Sequence, residues 1–246
     1  MRQGRPAIGL VLALALVTGV WVSCDGQTKP SKTVDPYHAA YDGWELRPLE
    51  KARREGRLVF QSDFSPAGLA RDWTADGLTI GLTKGAAVLS LSPGRITADK
   101  KYGVLWSRVA FAEPQMIEVE FTLDPVSLHD ANIFWGQKEP AADALGKDQE
   151  CFITSCFGWG GRSSGLEGVR SGPLGITATV APRPGKRYAA VWIIRGRTQF
   201  LYLDGTLLVY SQSPEPPPAS GLLGLSVFQS KVAFHSVRVY ALSIIH

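Results

Sequence analysis

The 246-residue chain contains a single asparagine, three cysteines and four histidines. Three cysteines are too few for a disulfide framework. His38, His129, His235 and His246 are scattered, with no HExxH and no CxxC, so the usual zinc spacings are missing. No EF-hand spacing is present, and no Gly-rich P-loop pattern. Asn132 is not part of a glycosylation sequon. Charge of one sign is not in large excess, with 26 basic against 22 acidic residues. With 45% hydrophobic residues, that balance excludes a disordered chain. Glycine (26), proline (16), tryptophan (7) and tyrosine (7) are well supplied. They lean towards an all-β protein, since turns need the first two and strands favour aromatics.

Only one long uncharged apolar stretch occurs, Ala7 to Val22, behind Arg2 and Arg5. It is short for a membrane span, which needs roughly 20 residues, and reads as a secretory signal over residues 1–23. Its end, Ser23-Cys24, resembles the lipobox of bacterial lipoproteins, with Trp21 in place of the usual leucine. The resemblance implies lipidation of Cys24 and a membrane-anchored protein of the cell envelope. An ordinary cleaved signal (a secreted protein) and an uncleaved anchor remain open, and all three send the chain across a membrane. Without Arg2 and Arg5, 24 basic residues face 22 acidic ones, and from Leu58 onward 17 face 16. A near-neutral domain with no basic stripe disfavours a nucleic-acid partner.

Residues 24–36 are polar and proline-containing and read as a tether. Residues 37–57 form an extension in which Pro48 and Gly56 bracket a short helix, expected to pack Leu49 on a sheet edge. From Leu58 to the end, thirteen short apolar or alternating runs are separated by Gly, Pro, Asp and Ser. This is the pattern of an antiparallel two-sheet sandwich. Arg195-Gly196 and Asp204-Gly205 mark hairpin turns. The strand holding Phe200 and Tyr202 is apolar on both faces, so it should be covered on both sides.

FQSDF (60–64), LARDW (69–73), GVLWS (103–107), IEVEF (117–121), QFLYLDGTLL (199–208) and the terminal 232–240 occur in an order that resembles the concanavalin A-like lectin/glucanase superfamily. It is most similar to the laminin-G-like branch that includes the 3-keto-disaccharide hydrolases. The resemblance implies a jelly roll over residues 58–246 of two antiparallel sheets, one concave, with ligands bound on the concave face or its rim loops. It also makes a structural calcium conceivable; no other cofactor is indicated. Laminarinase-type glucanases of the superfamily carry E-x-D-x-E on one strand. Here the strand reads Glu118-Val119-Glu120-Phe121-Thr122, with threonine at the third position, so that chemistry is not assigned.

Two segments carry candidate chemistry. Phe157 to Pro173 (FGWGGRSSGLEGVRSGP) reads as a long Gly-rich loop. Trp159 can stack on a sugar, while Arg162, Arg170 and Glu167 can bond hydroxyls or a carboxylate. The alternative is an edge loop whose charges pair with one another. His129-Asp130-Ala131-Asn132, followed by Phe134-Trp135, can form a polyol-binding or acid/base group; ordinary turn chemistry is the alternative. Trp135 is a candidate stacking residue, with core packing as its default. Glu167, Asp130 and Glu120 are the candidate acid/base residues. Cys151 and Cys156 would lie about 16 Å apart on opposite faces of one strand, too far for a disulfide, and read as free buried thiols.

The functions these features admit are a glycan or small-sugar binder, a sugar-acting hydrolase of the 3-keto-disaccharide type, and a protein-binding envelope lipoprotein. Fold class does not choose among them.

Overall fold

A computed structural model describes residues 47–92, 102–140, 151–168 and 171–243. The signal segment, Cys24, the tether and Arg170 lie outside the described residues. The described chain forms two antiparallel sheets, as expected. In the first sheet the strands are β1 (Arg57–Ser62), β3 (Leu78–Thr83), β4 (Ala86–Leu91), β6 (Gln115–Leu123), β11 (Arg187–Arg195), β12 (Thr198–Leu203), β13 (Thr206–Gln212) and β15 (Lys231–Ala241). Their order is β13-β12-β11-β6-β15-β4-β3, with β1 also paired to β15. The second sheet holds β2 (Trp73–Asp76), β5 (Tyr102–Ala112), β7 (Ala131–Gln137), β8 (Phe152–Phe157), β9 (Ser163–Gly168), β10 (Gly172–Ala178) and β14 (Ser220–Phe228). They run in the order β10-β9-β8-β7-β14-β5-β2.

Side chains alternate across each strand, so one set from each sheet meets in the middle. Ile117, Val119, Phe121 and Leu123 of β6 join Ala131, Ile133 and Trp135 of β7 in the main core. Trp135 is fully buried there, and its Nε1–H donates to the Phe111 carbonyl at 3.3 Å. That position removes Trp135 from the candidate sugar-stacking residues: its alternation points it between the sheets. Full burial of a large apolar side chain stabilises the fold by roughly 1.5–3 kcal/mol.

The outer face of the first sheet is also partly apolar. Helix α1 (Arg47–Glu55) forms where proline and glycine bracket it. Its Leu49 and Ala52 pack on Met116, Val191, Ile193, Phe200 and Tyr202. The helix therefore covers a sheet face, not a sheet edge as expected. This is why β12 is apolar on both sides. A second short helix, α2 (Pro66–Asp72), starts at Ser65, whose Oγ accepts from the Gly68 N–H at 3.1 Å.

The segment 157–173 is not one loop. Ser163–Gly168 forms β9 and pairs with both β8 and β10. Its glycines hid a strand: a Cβ at Gly165 would lie 2.8 Å from the Gly175 carbonyl and 3.1 Å from the Trp159 ring. Only glycine permits that approach.

Cys151 and Cys156 are buried thiols with no disulfide between them. Cys156 faces the main core, whereas Cys151 packs with Trp106 and Phe134 on the other face. Burial pushes both thiols up to about 12, so both are inert as nucleophiles.

Candidate functional site

The outer face of the second sheet carries the site. Asn132, Ser155 and Gly165 are cross-strand partners on β7, β8 and β9. Phe134, Ile153 and Glu167 form the next rung on the same face. Neighbouring strands lie about 4.8 Å apart, so side chains of one rung are in reach of one another. With His129, Asp130 and Trp159 they line a cleft of about 560 Å³. Phe228 and Gln229, at the turn from β14 to β15, close another side.

Asp130 sits just before β7 in the left-handed region, at φ 57°. Its backbone is tied down: its N–H donates to the Phe157 carbonyl at 3.0 Å, and its carbonyl accepts from Ser230 Oγ at 3.2 Å. Its carboxylate contacts His129 Nδ1 at 2.8 Å and accepts from Ser155 Oγ at 3.4 Å. Burial holds the Asp130 carboxyl above its ordinary range, although the His129 hydrogen bond pulls the other way. Glu167 is raised too, first by burial and then by the nearby Asp130 charge. Gly158 makes room for this arrangement, since a Cβ there would meet Ser155 Oγ and come 3.2 Å from Asp130 Oδ1.

The turn from β8 to β9 is left-handed over several residues. Phe157, Trp159, Gly160 and Gly161 have φ of 59°, 51°, 72° and 81°. A left-handed tryptophan costs roughly 1–2 kcal/mol. Such strain is commonly held where a side chain must be aimed. Here it lays the indole against Gly165 at the cleft, where Trp159 stays 45% exposed.

The fold thus brings together His129, Asp130, Asn132, Trp159 and Glu167, which come from two separate segments. It does not bring in three other candidates. Arg162 is exposed and does not line the cleft. Trp135 is in the core. Glu120 lies on the outer face of the opposite sheet, where it pairs with Arg187 at 3.4 Å; the alternation of β6 forces it there. Glu118 on the same face is paired with Arg53 at 3.3 Å, so this strand offers no free carboxylate pair. Ser155 and Gln229 were missed. Period-2 alternation in the run from 151 to 157 would have placed Ser155 beside Asn132 once the pairing was known. Gln229 had no signal beyond its place between two strands. Among the described residues, no group of three His, Cys, Asp or Glu side chains is placed to hold a metal ion.

No family model and no curated protein matches this sequence. Solved structures do match in fold. A Bacillus subtilis protein of unknown function with a galectin-like fold superposes with a TM-score of 0.63 at 14% identity, covering 76% of this chain and 96% of that one. The carbohydrate-binding module CBM66 from Bacillus subtilis gives 0.53 at 14% identity, over 69% and 96%. LamAcat from Zobellia galactanivorans gives 0.53 at 14%, over 77% and 99%. The fold is the concanavalin A-like jelly roll. At these identities the likeness shows the sandwich alone, and function rests on the cleft. Within this jelly roll, the cleft lies on one sheet's outer face and its rim turns.

Proposed function

We propose that the protein is an exported, lipid-anchored saccharide-binding jelly roll, with Cys24 as the lipid attachment point and the cleft at Trp159 as the sugar site. The observation that carries this reading is the placement of a half-exposed indole beside His129, Asp130 and Asn132 in one cleft. A pyranose offers an apolar face for the ring and hydroxyls for the polar groups, the combination such pockets recognise. The structural likeness to a module named for carbohydrate binding supports it. The test is calorimetry of the mature domain against a panel of oligosaccharides, with Trp159→Ala alongside. Loss of affinity in the variant supports the site. No affinity for any saccharide refutes it, and capture of a protein partner at another face would favour the protein-binding reading instead.

One observation favours a second reading, that of a glycoside-acting hydrolase. Asp130 and Glu167 share the cleft, and burial raises both carboxyls. A raised carboxyl keeps its proton for donation, as a general acid requires. In that reading Glu167 is the acid, and Asp130 with His129 is the base. Turnover of plain or 3-oxidised disaccharides by the pure protein, lost in Asp130→Asn, supports it; binding without turnover rejects it.

A further inference from the structure

We infer that the saccharide taken by this cleft carries a positively charged amine, which Glu167 receives. The inference rests on the saccharide-binding reading and deepens it. Among the described residues lining the cleft there are two carboxylates and no lysine or arginine. Asp130 already has His129 at 2.8 Å and Ser155 at 3.4 Å. Glu167 faces the same space, and no hydrogen bond or ion pair to it occurs among the described residues. Elsewhere, several of the described acids have a basic partner. Asp72 has Arg71, Glu118 has Arg53, Glu120 has Arg187, Asp124 has Lys231 and Asp204 has Lys186. Arg162, near Glu167 in sequence, is exposed outside the cleft.

A half-buried carboxylate without a counter-charge is an unfavourable feature of the free protein, and its raised pKa is the expression of that cost. A ligand that brings an ammonium group removes it through a charge-assisted hydrogen bond. Trp159 adds to the selection, because an indole face attracts a cation within about 6 Å. An acidic sugar would instead set its carboxylate against Glu167 and Asp130. A neutral sugar would leave Glu167 unmatched.

The experiment is calorimetry with three β-1,4-linked tetrasaccharides, of glucosamine, of N-acetylglucosamine and of glucose. The working condition is about pH 6, between the ordinary carboxylate and amine ranges. The glucosamine oligomer is expected to bind about tenfold tighter than the other two, the scale of one added charge-assisted bond. This preference should shrink as salt rises, because the cleft is open to solvent. Glu167→Gln should bring the ratio of affinities towards one, whereas Glu120→Gln should not move it. The salt dependence of the unaltered protein tests the same point without any variant. Equal affinity for all three oligomers overturns the amine inference and leaves saccharide binding standing. Spermine binding as tightly as the glucosamine oligomer also overturns it. Binding of none of these or of any other saccharide overturns the saccharide reading itself.

Discussion

The two outer sheet faces carry the same kinds of residue and use them differently. On the first sheet, Glu118 is held by Arg53 at 3.3 Å and Arg238 at 3.9 Å, and it accepts from the Tyr240 hydroxyl at 3.3 Å. Glu120 has Arg187, which in turn reaches His235 Nδ1 at 3.1 Å. That face is closed electrostatically, and helix α1 covers its apolar part. On the second sheet, Asp130 has one histidine, Glu167 has no counter-charge among the described residues, and an exposed indole stands beside them. Two acids on one strand, as in β6, look like chemistry in sequence and prove to be a solvated ion-pair lattice. Two acids from distant segments, Asp130 and Glu167, look unrelated and share a cleft. The acids of β6 are neutralised by their neighbours, whereas Glu167 has no counter-charge among the described residues.

Substitutions can break this comparison, and tryptophan gives the largest effect. Trp135→Ala opens a core cavity and should cost about 3–5 kcal/mol of stability in urea unfolding. Trp159→Ala should leave stability within about 1 kcal/mol, since its ring is 45% exposed, while lowering saccharide affinity about tenfold. The reverse outcome would exchange the roles assigned to the two rings. Next, Gly158→Ala should reduce affinity several-fold by driving Ser155 and Asp130 apart, with little change in the far-UV spectrum. Unchanged affinity would show that the room left at Gly158 is not needed.

The smallest effects come from the acids themselves. Glu120→Gln removes a partly exposed ion pair and should cost about 0–1 kcal/mol. Glu167→Gln should act in the opposite direction at neutral pH. Glu167 holds its proton more tightly in the folded chain than at its ordinary value of 4.5. Its contribution therefore favours folding fully below that value and is lost as pH rises through the raised one. Glutamine keeps a neutral side chain at every pH. The variant should thus gain stability relative to the parent as pH rises from about 4 towards 7, with the gain vanishing at low pH. Denaturant melts at both pH values measure this. A variant less stable than its parent at neutral pH would mean that Glu167 has a counter-charge after all.

Much of the fold was legible because its signals are local. The Asp204-Gly205 turn, the alternation of β6 and the two-sided apolar β12 each follow from a few neighbouring residues. What escaped depended on partners far along the chain. β9 looked like a loop because its glycines read as turn residues, whereas Gly165 is small so that Gly175 and Trp159 can approach it. Trp135 and Trp159 are indistinguishable by residue type; one faces inward by strand alternation and the other is turned outward by a left-handed backbone. His129, Asp130, Asn132, Trp159 and Glu167 were visible as candidates, but their convergence needed the pairing of β7, β8 and β9. Arg162 and Glu120 failed to join them because side-chain direction is set by register, which no short motif records.

A crystal structure of the mature domain soaked with the glucosamine tetrasaccharide tests the central claim most directly. The account predicts a pyranose ring against the Trp159 indole, with its amine about 3 Å from a Glu167 carboxylate oxygen. A sugar bound elsewhere on the sandwich, with the Trp159 cleft holding only water, would contradict it.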